Sequence, residues 1–221
     1  MARESQPARR ERLHRIIQRL QETYPDAHCE LKHRNPLELL IATILSAQCS
    51  DRQVNRVTES LFRTYRTAAD FANATPSALE DAIRSIGLYR NKARNIQACC
   101  RSLLERHDGQ VPQTLDELVA LNGVGRKTAN VVLGNAFNIS VGVVVDTHVA
   151  RLSHRLGLTR ESSPEKIEND LRKLIPGEHW TMFSHWLIWH GRRRCFARQP
   201  DCPHCELLDL CPTGRKSVSD R

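Results

Sequence analysis

Four cysteines near the C-terminus, Cys195, Cys202, Cys205 and Cys211, follow a C-x6-C-x2-C-x5-C spacing. They fall within seventeen residues, so one compact loop can bring four thiolates to a single metal centre. Thiolates are soft ligands, and four of them select an iron–sulfur cluster or zinc. Structural zinc sites usually carry two short knuckles. Here a single C-x2-C is flanked by wider gaps, which favours a cluster and keeps zinc as the alternative. Pro200, Pro203 and Pro212 punctuate the same stretch, which argues for a built loop over four unrelated buried thiols.

A second chemical signal is the string Leu121-Asn122-Gly123-Val124-Gly125-Arg126-Lys127-Thr128-Ala129. A short amphipathic segment runs into a G-x-G turn, and a second helix follows at once. Two glycines allow positive φ and leave backbone N–H groups bare. At a helix N-terminus those groups and the dipole favour an anion. Such a turn suits a phosphate clamp that holds a nucleic-acid backbone without reading bases; an ordinary connection with a glycine stop is the alternative. Lys127 lies in the first turn of the second helix. The dipole and Arg126 both disfavour its ammonium, and the free amine is a carbon nucleophile. The competing role is a surface lysine on a phosphate. Asp146, 19 residues on in Val144-Val145-Asp146-Thr147-His148, follows an apolar run and precedes a helix. It is expected to act as an N-cap, as a carboxylate beside a sugar that becomes positive when its base departs, or as both through different oxygens.

Helical periodicity supplies the elements that position these residues. Leu13, Ile16, Ile17 and Leu20 form one stripe within Arg9 to Tyr24. Pro36 opens a helix through Leu39, Leu40, Ile44 and Leu45. Asp51 is read as the cap of a helix carrying Val54, Val57, Leu61 and Phe62. Thr75-Pro76 opens another through Leu79, Ile83 and Ile86, with Gly87 as its stop. Further helices are read over Asn91–Arg106, Thr114–Leu121, Lys127–Phe137, Asp146–Leu156, Pro164–Leu174 and Trp180–His190. Ile139 to Val145 is β-branched but bounded by helices, so it reads as a buried extended connector, with a domain crossing near Val141. Pro212 to Arg221 is read as frayed. The expectation is an all-α protein of about ten helices.

Composition sets outer bounds. A formal charge of +8 spread along 221 residues suits a polyanionic partner. Cys29, Cys49, Cys99 and Cys100 lack ligand spacing and read as buried free thiols of a reducing compartment. The N-terminal stretch has charge but no apolar core of a secretory signal. No apolar run approaches the roughly 20 residues that span a bilayer. A cytoplasmic location is expected.

The hairpin with its lysine, the V-D-T-H aspartate and the four-cysteine loop occur in that order. With them come Leu45-Ser46-Ala47-Gln48 with Asp51 and Asn55, and Ile86-Gly87-Leu88-Tyr89. Over roughly residues 10 to 212 the sequence resembles endonuclease III, the bifunctional base-excision glycosylases of the helix-hairpin-helix superfamily. The resemblance implies two helical domains flanking a DNA-binding cleft. One is a six-helix domain with the hairpin, residues 29–140. The other, an iron–sulfur domain, comprises residues 1–28 plus 141–221. It implies a [4Fe–4S] cluster on Cys195, Cys202, Cys205 and Cys211 that shapes a DNA-contacting loop and takes no part in catalysis. It implies Lys127 as the nucleophile at C1′ and Asp146 as its charge-stabilising partner. The backbone would be held at Gly123, Val124 and Gly125, Leu88 would wedge into the duplex, and Gln48 would fill the vacated gap. The implied substrates are oxidised or ring-saturated pyrimidines in double-stranded DNA, processed by a monomer without a diffusible cofactor.

Two departures stand out. Asn122 occupies a turn position where the family often has proline, and asparagine tolerates that geometry. In the cluster loop Phe196 to Asp201 only Arg198 is basic, with Arg192, Arg193 and Arg194 just upstream as possible compensation. An adenine-specific relative is disfavoured, because Ile41-Ala42-Thr43-Ile44 carries no catalytic carboxylate and Lys127 is present. An AP lyase with different or weak base specificity, and a non-catalytic DNA-binding iron–sulfur protein, stay open as alternatives.

Overall fold

The computed structural model describes residues 4–219. Among these the chain forms α1 (Gln6–Thr23), α2 (Pro36–Ser46), α3 (Asp51–Thr64), α4 (Ala68–Asn73), α5 (Pro76–Ala82) and α6 (Tyr89–His107). It continues through α7 (Leu115–Val119), α8 (Arg126–Ala136), α9 (Thr147–Arg155), α10 (Pro164–Leu174), α11 (Trp180–Arg193) and α12 (Pro212–Ser219). Three short 3-10 turns complete the described residues, and no strand occurs among them.

Local chemistry sets most of these boundaries. Asn35 accepts from the Glu38 N–H at 2.9 Å, and Pro36 starts α2 with no N–H to orphan. Ser163 with Pro164 does the same for α10, and Thr75 with Pro76 for α5. Three sequence expectations need correction, and one helix has no counterpart among the expected elements. Ser50 rather than Asp51 caps α3; Asp51 sits in the first turn, where its charge complements the helix dipole. The helix α5 ends at Ala82, and Ile83 to Ile86 close a tight turn before Gly87 is reached. The helix α4 escapes periodicity because it has only six residues, but Thr67 and Asp70 form a reciprocal capping box. Pro212–Ser219 is helical, held where Gly214 N–H meets Cys211 Sγ at 3.3 Å; Asp220 and Arg221 lie outside the described residues.

The chain divides into two compact units, one of residues up to His28 together with those from Ser140 on, the other Cys29–Ile139. In the second unit α2 is buried from Glu38 to Leu45 and packs on α3, α6 and α8. A helix enclosed on all sides needs no polar face, which is why its sequence is almost uniformly apolar. In the first unit the α1 stripe Leu13, Ile16, Ile17 and Leu20 joins Val149, Leu152, Phe183, Trp186 and Leu187 in one core. Each such side chain contributes about 1.5–3 kcal/mol by leaving water. Cys99 and Cys100 are buried as expected, and burial pushes the Cys99 thiol up to about 12. Cys29 and Cys49 differ from the expectation, being half-buried.

Candidate active site and nucleic-acid interface

The hairpin is anchored by two apolar side chains. Leu121 and Val124 are buried while Asn122, Gly123, Gly125, Arg126 and Lys127 are exposed. The two glycines do different work. Gly123 has φ +75°, and a Cβ there would sit 2.8 Å from the Asn95 Cβ of α6. Gly125 has φ −91° and ψ 173°, open to any residue, and a Cβ there meets nothing within 4 Å. The turn therefore takes its positive φ at Gly123 and not at Gly125. No side chain caps α8. Its first-turn N–H groups therefore face outward at the positive end of the dipole, with Lys127 among them.

Gly123→Ala is expected to lower stability. The left-handed backbone costs roughly 1–2 kcal/mol for a side-chain-bearing residue, and overpacking against Asn95 adds about 1–3 kcal/mol. A thermal-denaturation midpoint lowered by several degrees would confirm this, and an unchanged midpoint would contradict it.

Gln48 and Leu88 share an uncommon property. Both adopt left-handed backbone, at φ +54° and +59°, and both are exposed. Leu88 is 58% exposed and therefore no core leucine. Ordinary residues held in this region of backbone space cost about 1–3 kcal/mol each, and such strain concentrates at functional sites. Nothing in the side-chain pattern signals it, since neither position carries glycine or asparagine.

Asp146 caps α9. Its Oδ1 accepts from the Val149 N–H at 2.7 Å, and the cap uses that oxygen alone. His148 takes a hydrogen bond from Arg151 on Nδ1 at 3.1 Å, and burial holds its pKa below the usual range against the pull of Asp146. It is a partnered, half-buried histidine of the first unit.

All four cysteines of the C-terminal loop line one cavity of about 110 Å³, with Leu152, Leu156, Leu207 and Leu208 among its apolar walls. Several hydrogen bonds converge on the sulfurs. Arg155 Nη1 donates to Cys195 Sγ at 3.1 Å and Gly214 N–H to Cys211 Sγ at 3.3 Å. His190 Nε2 lies 3.4 Å from Cys205 Sγ, and its Nδ1 lies 2.9 Å from the Tyr24 hydroxyl. Burial lowers the His190 pKa to about 4 and raises the Tyr24 hydroxyl to about 12, so both are neutral. With a metal-bound, deprotonated Cys205, the one arrangement that satisfies both contacts has Tyr24 donating to Nδ1 and Nε2–H donating to sulfur.

Sequence reasoning missed Arg155 and His190 because their partners lie 40 and 15 residues away along the chain. Arg155 also donates to the Phe196 and Ala197 carbonyls at 2.7 Å each, so one guanidinium supports the start of the loop. Arg194 corrects an expectation. It pairs with Asp201 at 2.6 Å and Glu206 at 3.0 Å, so its charge is neutralised inside the loop and cannot stand in for a missing phosphate contact. Arg193 lies 3.8 Å over the Trp189 ring. Arg198 is exposed. Much of the basic charge on α1 is also turned inward: Arg12 and Arg19 donate to the Leu156 and Glu206 carbonyls at 2.7 Å each, and Arg9 to that of Leu158.

Helices without strands among the described residues, and a glycine turn leading into a helix with no side-chain cap, are the features of a helix-hairpin-helix protein. The family described as HhH-GPD superfamily base excision DNA repair protein matches residues 41–177, a span that includes the hairpin and Asp146 and stops short of the cysteine loop. Endonuclease III of Synechocystis sp. is 50% identical over 210 residues, 95% of this chain and 96% of that protein. A solved non-covalent endonuclease III–DNA complex superposes with a TM-score of 0.89 at 50% identity, covering 95% of this chain and 98% of the other. A trapped endonuclease III–DNA covalent intermediate, in an estranged-adenine complex, gives the same TM-score, identity and coverage. The chain belongs to the endonuclease III family of this superfamily, base excision DNA repair enzymes with DNA glycosylase and AP lyase activity. Among the described residues no helix is long and apolar enough to cross a membrane.

Proposed function

We propose that this enzyme releases oxidised or ring-saturated pyrimidines from double-stranded DNA and cleaves the abasic strand through a Schiff base on Lys127. The observation that carries the reading is the placement of Lys127: an exposed primary amine in the first turn of an uncapped helix, beside the N–H groups that would hold a phosphate. The flanking backbone would fix the strand, and the lysine would then meet the adjacent sugar.

The chemistry follows from what these residues can supply. Extruding the damaged nucleotide costs a few kcal/mol of stacking and pairing. Leu88 wedges into the step, as apolar side chains do in other duplexes, and Gln48 fills the gap and bonds the orphaned base. The Lys127 Nζ lone pair attacks C1′, forming a C–N bond while the bond from C1′ to the base breaks. The base leaves with that electron pair and takes a proton. The Asp146 carboxylate stabilises positive charge that develops at the sugar, and the attacking amine gives up its proton as the C–N bond forms. Ring opening gives the iminium; loss of a C2′ proton then expels the 3′ phosphate.

The donor set fits a [4Fe–4S] cluster held by Cys195, Cys202, Cys205 and Cys211. A tetrahedral zinc with Zn–S of about 2.3 Å draws its sulfurs to roughly 3.8 Å of one another. Among the described residues the sole group of three or more ligand atoms within 4.8 Å of each other is His190, Cys205 and Glu206. The four cysteines instead line one cavity, and the sulfurs of Cys195 and Cys211 receive N–H donors, which supports the larger cluster. When bound, the cluster cross-links the loop that carries Arg198; no catalytic step runs through it.

Phosphate contacts set the salt dependence of binding. Arg198→Ala is expected to flatten the slope of log K against log salt by about 0.9. Arg194→Gln is expected to leave the slope unchanged and lower the thermal midpoint, because that charge is paired internally. Equal slopes in both variants would remove Arg198 from the interface. Gly125→Ala is expected to keep its thermal midpoint and to weaken duplex binding, since its new Cβ meets only what approaches from outside; unchanged affinity would argue against the clamp.

The function itself is tested with duplexes holding thymine glycol, dihydrouracil, 8-oxoguanine, an adenine mismatch or an abasic site. Release of the two damaged pyrimidines with strand cleavage is the expected pattern. Cleavage confined to the abasic duplex would replace the reading with an AP lyase lacking this base specificity. Binding without any cleavage would favour a non-catalytic protein.

A further inference from the structure

One buried cation in the Cys29–Ile139 unit has no part in the chemistry above. Lys92, in the first turn of α6, is 4% exposed. Its ammonium donates to the Leu45 carbonyl at 2.9 Å and to the Ala47 carbonyl at 2.6 Å. Those oxygens terminate α2, which carries no basic residue in its own last turn. The lysine therefore caps α2 from another helix, its charge at the negative end of the dipole. Burial lowers its pKa, so the position is held at some cost to stability.

The placement matters because of what lies on either side. Ala47 is followed directly by Gln48, whose backbone is left-handed. Lys92 is one turn beyond Leu88, the left-handed residue that starts α6, and its N–H closes the first helical bond on the Leu88 carbonyl at 3.1 Å. A second tie runs in parallel at the surface: Gln53 Nε2 donates to Ser85 Oγ at 2.9 Å, joining the start of α3 to the turn before Leu88. Gln48 and Leu88 are 40 residues apart in sequence, yet the segments bearing them are fastened at two points.

We propose that Lys92 is a positioning residue that locks the Gln48 segment to the helix bearing Leu88, so that wedge and gap-filler enter a duplex as one preorganised tool. The inference rests on the roles given above to Gln48 and Leu88. Preorganisation of this kind matters because a displacement of about 1 Å can lower a rate by about a hundredfold.

The test uses single-turnover release of thymine glycol from a duplex with 2-aminopurine opposite the lesion, whose fluorescence reports unstacking of the orphaned base. Lys92→Met should slow release by about 10–100-fold and reduce the fluorescence change. Cleavage of a single-stranded abasic oligonucleotide, which needs neither wedge nor gap-filler, should stay within about twofold of wild type. Gln97→Met is the structural control, because it removes another buried side-chain bond from α6, 2.7 Å to the Ala74 carbonyl; it should leave release unchanged. If Lys92 acts through Gln48, adding Gln48→Ala to Lys92→Met should cost less than about twofold further. Should Lys92→Met fail to fold, Ser85→Ala cuts the parallel tie at an exposed position, and the same non-additivity with Gln48→Ala is required. Additive losses, an equal loss on the single strand, or an equal loss in Gln97→Met would overturn the latch. If Gln48→Ala alone changes neither signal, the gap-filling role fails first and the latch with it.

Discussion

Lys127→Gln is expected to lower single-turnover base release by at least about a thousandfold, or about 4 kcal/mol of transition-state stabilisation, while duplex affinity stays within about twofold. Glutamine keeps a polar side chain at an exposed first-turn position, so the helix should persist. What is lost is the amine. Without it no bond to C1′ forms, and neither covalent capture nor elimination can follow. The competing role for this residue, a cation resting on a phosphate, predicts the opposite pattern: weaker binding, a salt slope lower by about 0.9, and a rate at saturating enzyme near that of wild type. Single-turnover kinetics and a salt titration on one pair of proteins separate the two.

The second large effect concerns Asp146, where a structural and a chemical role share one side chain. Asparagine caps helices about as well as aspartate, so Asp146→Asn should retain the bond to the Val149 N–H and melt close to wild type. It removes the negative charge, and the rate should fall on the order of 10²–10³-fold, the scale of one lost electrostatic contact to a developing charge. Asp146→Ala should show the same rate loss and in addition about 1 kcal/mol less stability from the missing cap. The comparison of Asn with Ala, by thermal denaturation and single-turnover kinetics together, apportions the two roles. An Asp146→Asn enzyme of near-normal rate would leave Asp146 as a cap and nothing more.

The legibility of this molecule in its sequence varies with the range of the interaction. The Asp146 cap, the Pro164–Leu174 helix and the buried α1 stripe are consequences of neighbours within one or two turns, and the sequence displays them. The helix α4 is equally local, but its signal is a capping box rather than a period, and a search for apolar spacing passes over it. Conformation without a residue-type signature is harder. Gln48 and Leu88 are left-handed although neither is a residue type that favours it, and the Lys92 bond to the Ala47 carbonyl beside Gln48 spans 45 residues of chain. The environment of the sulfurs is of the same kind, since Arg155, His190 and Gly214 reach them from three different segments. Charge counting pointed to a polyanionic partner but does not tell which cations reach it, for a related reason. Arg9, Arg12, Arg19 and Arg194 raise the formal charge, but their guanidiniums are committed to carboxylates and carbonyls within the fold.

The central claim is that one amine, Lys127, carries both base release and strand cleavage. Its most direct test is borohydride reduction during reaction with a thymine glycol duplex, followed by proteolysis and mass mapping of the cross-linked peptide. The account predicts a stoichiometric adduct on the peptide containing Lys127, absent in Lys127→Gln. Release of the damaged base with no reducible adduct, or an adduct on any other amine, would contradict it.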